Sequence, residues 1–122
     1  MTSFLGLDFG LKRIGLALAI NNIVQPLGVF PNDTNFPAKL QRLIQEYKIE
    51  KIYVGLSYGP VATRTQEFIQ QLNLGIPCEF VEEQVSSKEA TEIYKANKNK
   101  KKNYKQTIDA VSAAVILQRV LL

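Results

Sequence analysis

The stretch that most constrains this chain is Ser3-Phe-Leu-Gly-Leu-Asp8-Phe-Gly10-Leu-Lys-Arg13-Ile-Gly15-Leu-Ala17. A short apolar run ends on a lone carboxylate, a glycine-containing turn follows, and a second apolar run returns. The pattern predicts a central strand, a tight turn and an antiparallel partner. Side chains alternate along a strand, so Phe4, Gly6 and Asp8 share one face and Leu5 and Leu7 the other. Gly6 has no side chain, which lets a neighbouring element or a ligand come close beside Asp8. An acid at the end of a buried strand has a fixed backbone and makes a good metal ligand. An aspartate that merely opens a turn carries the same local signature.

The rest of the chain extends this hairpin into a sheet. Arg13 to Asn21 reads as the second strand, and Asn21-Asn22 is a two-residue turn signal. Ile23 to Phe30 is a third strand bent at Pro26, which suits a sheet edge. Pro31 to Pro37 reads as loop. Ala38 to Tyr47 has Leu40, Leu43, Ile44 and Tyr47 at helical spacing. Lys51 to Leu56 is a short strand with Gly55 and Gly59 flanking its end. Val61 to Leu74 is a second helix with Ala62, Phe68, Ile69 and Leu72 toward the core and Gly75 as its C-cap. Cys78 to Glu83 is a fifth strand ending in two acids.

Ser86 and Glu89 form a capping box that opens a helix to about Ala96. The apolar-free stretch Asn97 to Asn103 reads as a loop, and Thr107 caps a final helix. Strands four and five follow crossover helices and so lie parallel to strand one. The fold class is α/β: three antiparallel then two parallel strands in one mixed five-stranded sheet, with helices on both faces. No internal repeat is visible, and residues 1–122 read as a single domain.

With 122 residues, one core is expected. No apolar run reaches the ~18 residues of a membrane span. No basic-then-apolar leader opens the chain, and Cys78 stands alone, so the cytoplasm is the expected compartment. The chain contains no histidine, which excludes Ser-His-Asp chemistry and His-ligated zinc. The formal charge of +4 permits a polyanionic partner.

Three carboxylate positions stand out: Asp8 ending strand one, Glu82 or Glu83 ending strand five, and Asp109 near N2 of the last helix. Sites in open α/β sheets form outside the carboxyl ends of the strands. Asp109 joins that end if its helix packs on strand one, and its small neighbours Ser112 and Ala113 would allow close approach. Glu82 and Glu83 point to opposite faces, so only one is expected to join, and spacing does not say which. Each acid taken alone has a structural explanation, and for Asp109 the helix dipole suffices. Three convergent carboxylates without histidine suit Mg²⁺ or Mn²⁺, and paired ions of that kind support phosphodiester hydrolysis.

A second feature is basic. Lys95, Lys98, Lys100, Lys101, Lys102 and Lys105 occur without an intervening acid, with Tyr94 and Tyr104 nearby. Such a segment suits a nucleic-acid backbone as well as it suits solvent. Lys12 and Arg13 would add phosphate contacts close to Asp8. Gly10 and Gly15 read as serving turn geometry and packing.

Leu7-Asp8-Phe9-Gly10, Arg13-Ile14-Gly15-Leu16-Ala17, Val54-Gly55-Leu56, Glu82-Glu83-Gln84-Val85-Ser86-Ser87 and Asp109-Ala110 with Ala113 to Gln118 together resemble the YqgF-type family. The resemblance runs over nearly the whole chain. It implies an RNase H-like fold and a metal-dependent nuclease that processes the 5′ end of pre-16S rRNA in ribosome biogenesis. The alternatives are a Holliday junction resolvase acting on branched DNA and a non-catalytic nucleic-acid-binding module, with the protein acting as a monomer or homodimer. By resemblance, Asp8, Glu83 and Asp109 would be catalytic and metal-binding, with Glu83 preferred to Glu82. The sequence departs from the family at Gln84, where an arginine is usual, and at Ser57, where proline is usual.

Overall fold

The computed structural model describes residues 2–56, 60–82 and 104–121, with side chains described for these except residues 82 and 104–109. The elements run β1 (Ser3–Phe9), β2 (Arg13–Ile20), β3 (Ile23–Pro31), α1 (Phe36–Tyr47), β4 (Lys51–Leu56), α2 (Pro60–Leu72), β5 (Cys78–Glu82) and α3 (Tyr104–Leu121). The sheet order is β3-β2-β1-β4-β5. β1 pairs antiparallel with β2 and parallel with β4, and β4 pairs parallel with β5. The mixed five-stranded sheet is therefore the one its sequence predicts, with β1 at its centre. The helix predicted from Ser86 and the lysine-rich loop lie outside the described residues.

Local chemistry explains the meander. Asn21 and Asn22 both take positive φ, 52° and 68°, as a two-residue hairpin with the twist of its strands requires. The β2–β3 register shifts between Leu16 and Ala17, opposite Pro26 to Gly28. A proline donates no ladder hydrogen bond, and here it sits at a bulge on an edge strand, where that loss costs least.

The two faces of the sheet are built differently. Leu5, Leu7, Ile14, Leu16, Leu18, Ile52 and Val54 point to a core closed by Phe36, Leu40 and Ile44 of α1 and Ile69 of α2. The opposite face carries small residues, Gly6, Ala17 and Ala19, and meets Ala113, Ala114 and Leu117 of α3. A Cβ on Gly6 would stand 2.7 Å from the Ala113 carbonyl oxygen, so helix and strand approach almost backbone to backbone. Farther along this face, Lys51 Nζ bonds Glu79 Oε1 at 2.7 Å. That bond holds the ammonium above its ordinary pKa, and an exposed pair of this kind stabilises little.

Four sequence expectations are corrected. Helix α1 starts at Phe36 rather than Ala38, with a proline in its first turn, where its missing N–H is harmless. Phe36 is fully buried and packs between Phe30 and Phe68, at centroid distances of 6.4 and 6.0 Å. Helix α2 ends at Leu72, and Asn73 takes the left-handed turn (φ 48°) expected of Gly75. Its inward face also includes Thr65, whose hydroxyl donates to the Val61 carbonyl at 2.8 Å. Finally, α3 begins at Tyr104, so Thr107 does not cap it and Asp109 is its sixth residue instead of N2. Among the described residues, no helix is long and apolar enough to cross a membrane.

Candidate active site

Asp8 occupies the next-to-last position of the central strand and is half-buried. Its partner in β2 is Gly15 and its partner in β4 is Gly55. Directly paired residues share a face, so the two strand positions flanking Asp8 carry no side chain. Neither neighbouring strand therefore places a side chain beside the Asp8 carboxylate. The sequence reading assigned Gly15 to packing, and only the strand register reveals its place beside Asp8.

The turn after β1 completes this end of the sheet. A cleft of about 360 Å³ is lined by Asp8, Phe9, Gly10, Leu11, Lys12, Arg13 and Val61. Gly10 is required there for space: a Cβ would stand 2.4 Å from the Arg13 carbonyl oxygen. Asn32, just past β3, holds the turn at two points. Its Nδ2 donates to the Gly10 carbonyl at 2.8 Å, and its backbone N–H donates to the Lys12 carbonyl at 2.9 Å. Sequence reasoning missed Asn32, because these bonds span the hairpin and leave no local pattern. Val61 belongs to the first turn of α2, and the positive end of that helix favours anions at the same rim.

Of the predicted site residues, the structure therefore brings Asp8, Lys12 and Arg13 to one cleft. Glu82 is the last residue of β5, paired with Leu56. Asp109 is in the second turn of α3, and the side chains of both are outside the described set. Glu83, Lys98, Lys100, Lys101 and Lys102 lie outside the described residues. Among the described residues, no group of three potential metal ligands is present.

The family described as Holliday junction resolvase, RuvX, matches residues 2–122. A protein of Sulfurihydrogenibium sp. named "Putative pre-16S rRNA nuclease" is 39% identical, across 99% of this chain and 90% of the relative. A protein of Syntrophomonas wolfei with the same name is 37% identical, across 96% and 92%. Among solved structures, Thermus thermophilus RuvC in complex with Holliday junction substrate aligns with a TM-score of 0.65 at 13% identity, covering 99% of this chain and 94% of that one. Fowlpox virus resolvase, in complex with Holliday junction DNA, aligns with a TM-score of 0.56 at 12% identity, covering 99% of each chain. At these identities the likeness shows the fold, which is the RNase H-like sheet expected from the sequence.

Proposed function

Because the chain belongs to the RuvX family, we propose that it is a metal-dependent nuclease that hydrolyses phosphodiester bonds at the 5′ end of pre-16S rRNA. The observation that carries this reading is the setting of Asp8, flanked in register by Gly15 and Gly55 and sharing a cleft with Lys12 and Arg13. An acid lining a cleft together with two cationic residues suits a phosphate that must be both bound and attacked. The names of the relatives support rRNA as the substrate.

The donor chemistry fits a hard cation. The chain has no histidine. Its one thiol, Cys78, pairs with Ile52 and so lies in the row of Leu5, away from Asp8. Burial pushes that thiol's pKa up, favouring the neutral form over the thiolate that binds metal. Oxygen ligands remain, as Mg²⁺ and Mn²⁺ prefer. Asp8, Asp109 and Glu83 would hold such ions, which supply an activated water and stabilise the leaving oxygen.

Two features of the backbone support that set. Asp8, Gly55 and Val81 form one register row and Glu82 belongs to the next. Strand alternation thus puts Glu82 out of phase with Asp8 and favours Glu83. Ala113 lies over Gly6, while Leu121 joins Phe4 and Ala19 in one cluster. The turn before Ala113, which carries Asp109, is then on the Asp8 side. Lys12 and Arg13 would hold phosphates in register with the acids. Lys98, Lys100, Lys101 and Lys102 would add sequence-independent attraction to the RNA backbone.

The family description favours a second substrate, a four-way DNA junction. Labelled precursor 16S rRNA and a labelled junction, each incubated with Mn²⁺ or with EDTA, separate the readings. Metal-dependent trimming of the rRNA is expected. Cleavage of the junction alone would establish the resolvase instead, and binding without cleavage of either would make the chain a nucleic-acid-binding module.

A further inference from the structure

The lining of the cleft beside Asp8 is chemically mixed. Asp8, Lys12 and Arg13 are charged, whereas Phe9, Leu11 and Val61 are apolar. Phe9, the next residue along β1, points to the other face of the sheet from Asp8, where Phe68 backs it with ring centroids 5.0 Å apart. Leu11 stands out from the sheet at 53% exposure, one of two large apolar side chains so exposed among the described residues.

A leucine on a loose turn folds down or moves with the loop, but this turn is braced. Asn32 bonds the carbonyls of Gly10 and Lys12, the residues on either side of Leu11. Gly10 is closed against the Arg13 backbone. An apolar group is therefore held at the rim of a charged cleft, where exposure to water is unfavourable. Fixing it in advance lowers the ordering cost of binding a ligand with an apolar surface.

Phosphate recognition alone needs only the cations. A nucleic acid offers an apolar face of its own where a base has left the stack, because neighbouring bases cover those faces in a duplex. The cleft's volume is at the lower end of the range for ligand sites, roughly 300–1,000 Å³. Resting on the nuclease reading, we infer that Leu11, with Phe9 and Val61, seats an unpaired nucleobase beside the phosphate held by Lys12 and Arg13. The nucleotide at the cleavage position is then one outside a duplex, and Asn32 is the positioning residue for the seat.

The test compares kcat/KM for an RNA whose scissile region is unpaired with the same RNA annealed to a complement across that region. The wild-type chain should prefer the unpaired form. Leu11→Ala should reduce the preference about fivefold, the lower end of what a base contact contributes. Leu11→Met, still apolar, should retain it. Asn32→Ala should reduce it through a raised KM with kcat nearly unchanged. Equal loss on both substrates, or no loss, in Leu11→Ala would overturn the inference, as would a wild-type chain that cuts duplex equally well. A wild-type chain that cuts neither RNA would instead remove the RNA-nuclease reading on which the inference rests.

Discussion

The carbonyl oxygen of Ala113 stands where a Cβ on Gly6 would come within 2.7 Å of it, and Leu117 Cγ would be 2.8 Å away. This contact fixes the distance of α3 from the central strand. It therefore also fixes how Asp109, one turn before Ala113, relates to Asp8, two residues after Gly6. Gly6→Ala forces the helix outward, because the first obstacle is backbone. It should cost about 1–3 kcal/mol in chemical denaturation, as overpacking does. With Asp8 and Asp109 sharing the proposed site, cleavage should fall further than stability predicts, since ~1 Å of misplacement between reacting groups can cost about 10²-fold.

Two other glycines are needed for different reasons, and their alanine variants should differ accordingly. Gly10→Ala puts a Cβ against the Arg13 carbonyl at 2.4 Å and must open the turn. Affinity for RNA should drop, with a shallower dependence on salt as Lys12 and Arg13 leave their places. Gly75 has φ +79° with nothing within 4 Å of its would-be Cβ. Gly75→Ala should cost about 1 kcal/mol from backbone strain and leave RNA binding unchanged. Denaturation curves and salt titrations of the two variants together check the distinction.

Phe36→Ala should be among the most damaging single changes away from the site. The ring is fully buried and touches Phe30 and Phe68. Large-to-small changes of this kind cost about 3–5 kcal/mol, read as a lowered denaturation midpoint.

The sheet was legible because its signals are local and repeat. Alternation separated Leu5 and Leu7 from Gly6 and Asp8, Asn21-Asn22 marked a hairpin, and Pro26 marked an edge. Phe36 was not legible, since it stands in a polar, proline-flanked stretch and becomes core only through rings distant in sequence. Helix ends misled where two residues competed for one role, as with Asn73 and Gly75. Thr107 is a favoured N-cap residue and drew the expected start of α3 to itself, although the helix begins at Tyr104.

The site divided in the same way. Asp8 announced itself as the lone acid ending an apolar run, and Lys12 and Arg13 followed it in sequence. That Gly15 and Gly55 flank Asp8 depends on pairing across strands, and that Asn32 braces Gly10 depends on a bond across 22 residues. Neither relation is written in any short segment of the chain.

The central claim is that Asp8 anchors a metal-dependent cleavage site, and the most direct measurement is cleavage by Asp8→Asn. Labelled 5′-extended 16S rRNA is incubated with wild type and variant in Mg²⁺, Mn²⁺ or EDTA, with circular dichroism to confirm folding and a gel shift to follow RNA binding. The wild-type chain should trim the RNA in either metal and not in EDTA. Asp8→Asn should fold and bind RNA yet cleave at no more than about 1% of the wild-type rate, the scale of losing a preorganised charge at the reacting centre. A variant that cleaves at the wild-type rate, or a wild-type chain indifferent to EDTA, would contradict the account.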